Sequence, residues 1–216
     1  MSKTHAHHRP LILFPDRVAK PFGLFLLAIC LVGSLAWSTG CRQQSPAETF
    51  VIDESQKARA IAAKDLLFER LSGRLMEVMM ADGPVAAIEV CSREAKGIAA
   101  KVGEETGVEI GRTSLRLRNS ANQPPAWVKP LMRPDTTEPQ FVKVDDDHDG
   151  AILPIRLQAQ CVICHGPKEL ISDPVADQLA KLYPDDAATG FNEGDLRGWF
   201  WITVPHAKTD PSAAAE

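Results

Sequence analysis

Between Glu48 and Met80 the apolar residues Ile61, Leu66, Leu67, Leu71, Leu75 and Val78 recur at helical spacing among charged neighbours. That period predicts a long amphipathic helix, stopping near Asp82-Gly83-Pro84. Pro84 suits the first turn of a second helix. There Ile88, Cys91, Ala95 and Ile98 share one face, so Cys91 is expected to point inward. After Gly103 the pattern changes: Val108 to Leu115 alternates and is rich in β-branched residues, which predicts a strand. The polar run Arg118 to Pro125 predicts an irregular loop, and Trp127 to Met132 a short helix. Phe141–Val144 and Ala151–Leu157 are expected as strands joined by the polar turn Asp145–Gly150. A helix near Val175–Leu182, a last strand near Leu196–Val204 and a frayed tail after His206 complete the reading. Helices followed by hairpin-linked strands predict an α+β fold with an antiparallel sheet, and no internal repeat is visible.

The first forty residues have a different pattern. A basic, His-rich stretch (Lys3, Arg9, Arg17, Lys20) precedes an uncharged apolar run from Phe22 to Trp37, then Ser38, Thr39 and Gly40 before Cys41. Charge, apolar helix and small-residue cut site is the secretory order. A cysteine after Ser-Thr-Gly resembles the bacterial lipobox, with Ser38 where leucine is more usual. The expectation is a signal peptide over 1–40, lipidation of Cys41, and a polar tether over 41–47 leading to one domain over 48–206 and a flexible tail over 207–216. The alternative is an uncleaved anchor, since Pro21 to Gly40 is about long enough to span hydrocarbon. Either way the domain is expected outside the cytoplasm, on the periplasmic side, and tethered to a membrane.

The whole chain of 216 residues carries a formal net charge of −4. Loss of residues 1–40 leaves 20 cations and 27 acids, a net charge of −7. Such a surface repels nucleic acid, and none is expected as a partner. Of five cysteines, Cys30 lies in the leader and Cys41 at the lipid site, leaving Cys91, Cys161 and Cys164. An odd number of thiols in an oxidising compartment is poor arithmetic for a disulfide framework.

Cys161-Val162-Ile163-Cys164-His165 is the strongest chemical signal. In a C-x-x-C-H run two thiols can bond the two vinyl groups of one haem, and the adjacent histidine is placed to bind its iron. A zinc knuckle would need a second C-x-x-C, and a thioredoxin-type pair a βαβ setting. The residues alone leave the other axial ligand open among Cys91, His148, His206, Met76, Met79, Met80 and Met132. A lone inward cysteine is most often a small core residue. Yet an idle thiol in an oxidising compartment is a liability unless something occupies it. Arg116 and Arg118 are candidate partners of haem propionates, against the plainer reading of solvated charges. Trp127 is either a haem-edge packing residue or a cap on the core. Asp145 to Gly150 looks like the start of a calcium loop, but Arg156 stands where the bidentate Glu is needed, so a hairpin turn is the better reading.

Four stretches in order, Ala87 to Cys91, Arg118-Asn119 with Asn122, Cys161 to Pro167, and Gly194 to Gly198, resemble a family of periplasmic haem c domains with a PAS-like fold. Members occur alone or as the sensing part of bacterial signalling proteins. The resemblance runs from about Ala47 to about Pro205. It implies a PAS-like antiparallel sheet with flanking helices after the long N-terminal helix, and one covalent haem c on Cys161 and Cys164. It also implies His165 as one axial ligand and Cys91 as the other, a thiolate. Arg118, Asn119 and Asn122 would lie close to the haem or brace the loop over it. Gly194 to Gly198 would be a turn into the last strand, with Trp199 and Trp201 in place of smaller residues.

The expected function is a membrane-tethered redox or diatomic-gas sensor with a redox or signalling protein as partner. Thiolate ligation favours ferric iron and a low potential. The alternative is a single-haem electron carrier. An enzyme is not expected, because no acid or base is placed beside an open distal side.

Overall fold

The computed structural model describes residues 52–206. The expected leader, lipidated Cys41, tether and tail lie outside the described residues, as do the first positions of the helix expected from Glu48. Helix α1 (Glu54–Glu89) starts later than expected because Asp53 caps it, accepting a hydrogen bond from the Ser55 N–H at 2.6 Å. It breaks where the sequence predicted a stop. Gly83 has φ 83° and ψ 177°, a backbone that costs glycine little, and Pro84 restarts the helix behind it.

The second stretch is not the uniform helix expected. Val90–Glu94 form a π turn, in which the Ala95 N–H donates to the Val90 carbonyl five residues back. Apolar spacing does not reveal one extra residue in a turn. Helix α2 (Ala95–Thr106) follows and ends at Gly107, φ 65°, whose N–H donates to Gly103.

Strands β1 (Glu109–Thr113), β2 (Gln140–Lys143), β3 (His148–Arg156) and β4 (Leu196–Pro205) form one antiparallel sheet in the order β1-β4-β3-β2. Helix α3 (Val162–His165) and helix α4 (Asp173–Leu182) lie between β3 and β4 in the chain. This is the α+β, PAS-like architecture implied by the sequence. The expected helix at Trp127–Met132 is reduced to a single 3-10 turn, Lys129–Leu131. The hairpin turn is tighter than expected, because β3 already begins at His148. Asp145 Oδ1 accepts from the Asp147 N–H at 2.9 Å and contacts His148 Nδ1 at 2.8 Å, so this carboxylate is engaged within the turn.

One face of the sheet is the main core. Ala60, Ala63, Leu67 and Leu71 of α1, with Ala95, Ala99 and Val102 of α2, pack on Ile110, Ala151, Leu153, Phe200, Ile202 and Val204. Each fully buried side chain of Val or Leu size stabilises the fold by about 1.5–3 kcal/mol before entropy is counted. On the other face Trp199 is buried and its indole N–H donates to the Thr136 carbonyl at 2.9 Å. Trp201 covers Gly111, where an added Cβ would come within 2.5 Å of the ring. The two tryptophans are therefore accommodated by a small neighbour and a loop carbonyl.

Candidate functional site

A cavity opens at the end of the sheet where β3 runs out. Phe68, Leu71, Leu75, Met76 and Met79, on one face of α1, form one wall, and Cys91 on the π turn extends it. π turns are frequent at functional sites. The inward direction expected for Cys91 is what the structure shows, although the local geometry is not α-helical. The floor is the sheet, with Arg112, Phe200 and Gly198. Gly198 is required there: a Cβ would stand 2.2 Å from the Thr113 carbonyl oxygen.

Cys161, Cys164 and His165 line the same cavity. The motif is seated between two small apolar clusters. Cys161 and Val162 pack against Leu157, Ala188 and Phe191, while Cys164 packs beside Ile88, Val175 and Tyr183. The Gly194 turn, φ 83°, holds the entry to the motif through a pair of hydrogen bonds, Leu157 N–H to Asp195 at 3.0 Å and Gly194 N–H to Leu157 at 2.8 Å.

The imidazole of His165 is held on one side. Its Nδ1 lies 2.7 Å from the Ala188 carbonyl, and a carbonyl only accepts, so Nδ1 carries the proton and Nε2 keeps its lone pair. Arg197 Nε also stands 3.4 Å from Nδ1, but two donors cannot bond each other, and the shorter carbonyl contact decides the tautomer. Arg118 Nη1 is 3.4 Å from Nε2, a long contact. Burial, joined by the charges of Arg118 and Arg197, holds the ring's pKa down to about 3. The ring is therefore neutral near pH 7, the form that binds metal. An imidazole tied by one nitrogen to a backbone carbonyl, with the other free, is the usual posture of a metal ligand.

Burial raises the pKa of the Cys91 thiol, and Arg112 is the largest charge acting against that rise. Burial pushes the Cys164 thiol up to about 11, with Arg118 opposing. These are neutral thiols until something binds them. The donor set of two thiols and a histidine in one segment, with a third thiol on a different wall and apolar helix residues between, fits a broad apolar group anchored at one edge and ligated on its faces.

Arg118, Asn119 and Asn122 line the cavity, but Arg116 does not. The Arg116 guanidinium stacks on Phe191 at 4.1 Å and donates to the Ala187 carbonyl. Arg118 pairs with Asp186 at 3.0 Å and donates to the carbonyls of Cys164 and Ala188, so it braces the motif. Asn119 accepts from the Ala121 N–H at 2.9 Å, shaping its loop. Trp127 covers Gly150 and does not line the cavity. His148, His206, Met80 and Met132 are also absent from its wall, leaving Cys91, Met76 and Met79 there from the original set. Sequence reading missed Arg112, Tyr183 and Arg197. Arg112 had a visible signal, a charge at an inward position of an alternating strand.

A family model described as Tll0287-like matches residues 42–205. The chain belongs to the Tll0287-like family. The crystal structure of the cyanobacterial haem protein Tll0287 superposes on this Tll0287-like domain with a TM-score of 0.53, at 19% identity, covering 73% of this chain and 99% of that one. At that identity the likeness concerns the fold. No curated protein matches the chain.

Proposed function

We propose that this Tll0287-like domain binds one haem c and works as a non-enzymatic sensor of redox state or of a diatomic gas. In this reading it is exported, held at the periplasmic face of a membrane by lipid on Cys41, and reports to a redox or signalling protein. The observation that carries the reading is the convergence of Cys161, Cys164, His165 and Cys91 on one largely apolar cavity, with His165 Nδ1 tied to Ala188 and its Nε2 met only by a long contact from Arg118. Membership of a family that includes a haem protein supports it.

Haem held there would supply one-electron chemistry at iron and, where reduction loosens the bond to Cys91, a position for a diatomic ligand. Cys161 and Cys164 would hold it covalently, each thiol adding S–H across one vinyl double bond. His165 would offer Nε2 to the iron, its tautomer fixed by the Ala188 carbonyl on Nδ1. Cys91, on a different wall of the cavity, would supply the second ligand to the iron, giving up its proton on binding. Arg118 clamps the motif through Asp186 and two carbonyls. The α1 face excludes water from the remaining wall.

The test is expression of the full chain in a host with c-type maturation machinery. Denaturing electrophoresis with haem staining is expected to show a band, and the Cys161→Ala, Cys164→Ala double variant to lose it entirely. A haem-free wild type would overturn the proposal. Carbon monoxide added to the reduced protein separates the sensor from the plain carrier: a spectral change supports the sensor, and unaltered six-coordination in both redox states supports the carrier. Mass spectrometry of the same preparation reads the lipid on Cys41, and an intact N-terminus would replace it with a helical anchor.

A further inference from the structure

The cavity wall contains four arginines and, among the described residues, no aspartate or glutamate. Arg156 is exposed and donates to the carbonyls of Gly194 and Thr137. The other three lie deep. Arg118 has its carboxylate, Asp186, and both side chains are nearly buried, at 8% and 11% exposure. Arg112 has none. It stands on the inward face of β1, two residues past the buried Ile110 and opposite Phe200, and the groups acting on its charge are Cys91 and Tyr183. It keeps some accessible surface although it lies deep in the domain, because that surface faces the cavity. Arg197 donates Nη1 to the Arg116 carbonyl at 3.0 Å, and its Nε faces a ring nitrogen that is itself a donor. The acid acting on it is Asp186, already committed to Arg118.

Three guanidiniums therefore share one carboxylate, a surplus of two positive charges on the wall of a partly open cavity. An unpaired buried charge is strongly unfavourable, so the site is built for a ligand that brings two negative groups of its own. Haem brings two propionate carboxylates, and a guanidinium fork matches a carboxylate in two parallel bonds. Resting on the haem reading above, we infer that Arg112 and Arg197 are the carboxylate anchors of the cavity, each holding one propionate. Arg116 and Arg118, the candidates by sequence, are engaged elsewhere.

The experiment compares haem-loaded wild type with Arg112→Gln, Arg197→Gln and Arg116→Gln in the full chain, by reduction potential and by the propionate bending bands in resonance Raman spectra. Removing a cation beside the haem favours the oxidised form, so the first two variants are expected to lower the potential and displace a propionate band, while Arg116→Gln matches wild type. Arg112→Lys and Arg197→Lys keep the charge but lose the fork. They are expected to restore the potential while leaving the band displaced, which a merely structural role would not produce. Should a Gln variant fail to load haem, the band in its Lys counterpart decides. Silence of either position in both readouts overturns its half of the assignment, and a response at Arg116 alone overturns the whole. A haem-free wild type fails the haem reading first, and is told apart from a haem-loaded wild type whose arginine variants are silent.

Discussion

At the hairpin end of the sheet, His148 Nδ1 contacts Asp145 Oδ1 at 2.8 Å and His206 Nε2 lies 3.2 Å from Asp149 Oδ2. At the cavity end, His165 has one nitrogen bonded to a backbone carbonyl and the other directed at a long, weak contact, while Cys91 and Arg112 have no strong partner. The two ends hold similar side chains. At the hairpin the fold sets each histidine against a carboxylate, although Asp149 Oδ1 stays buried without a hydrogen-bond partner. At the cavity the fold leaves bonding capacity unspent along the wall. Residue type identifies candidates for chemistry, and the partners that the fold supplies decide among them. His148 also stands far from the cavity: it precedes the cavity-lining Ile155 by seven residues of β3, or roughly 23 Å of strand.

The comparison is broken most severely by removing the unspent thiol. Cys91→Ala is expected to convert the ferric spectrum of the haem-loaded protein to a five-coordinate or water-bound form and to raise the potential, because an anionic ligand is lost. His148→Ala is expected to change neither. The reverse pattern in paired absorption spectra and redox titrations would exchange the roles of the two ends.

Next in size is the clamp that keeps the cavity end ordered. Asp186→Asn leaves Arg118 nearly buried without its anion, and breaking a buried pair from one side costs about 3–5 kcal/mol. Urea unfolding of the haem-loaded protein is expected to show that loss, together with freer motion of the His165 segment in hydrogen exchange. A change below about 1 kcal/mol would mean that the pair behaves as a surface ion pair.

The smallest expected effect concerns the cavity floor. Gly198→Ala puts a methyl group against the Thr113 backbone carbonyl, which cannot swing aside as a flexible side chain would. Overpacking of this kind costs about 1–3 kcal/mol, readable as a lowered thermal midpoint. Gly97→Ala meets nothing within 4 Å, so it is the control in which a methyl group is added without a clash.

Much of this was legible in the chain. The break at Gly83-Pro84, the inward face of Cys91, the four strands and the C-x-x-C-H segment are local matters of period, turn chemistry and spacing, and they survive folding unchanged. The π turn at Val90–Glu94 was not legible, because four apolar positions from Ile88 to Ile98 are too few to show where one extra residue enters. The arginines divide in the same way. Arg116 and Arg118 drew attention by their position beside a polar loop, but which guanidinium faces the cavity depends on Asp186, Phe191 and the carbonyls of residues 187 and 188, some seventy positions later in the chain. Contacts of that range carry no periodic signal. Arg197 was hidden inside a run that reads as a turn, whereas it stands in β4 and lines the cavity.

The order β1-β4-β3-β2 also bears on self-association. The long strands β3 and β4 are interior, and the two edges are strands of only five and four residues. β2 is further guarded by Pro139 before it and Lys143 at its end. Short, charged or proline-flanked edges offer a poor template for a second sheet. Copies of this domain gathered at high local density therefore have little sheet edge to zip together by.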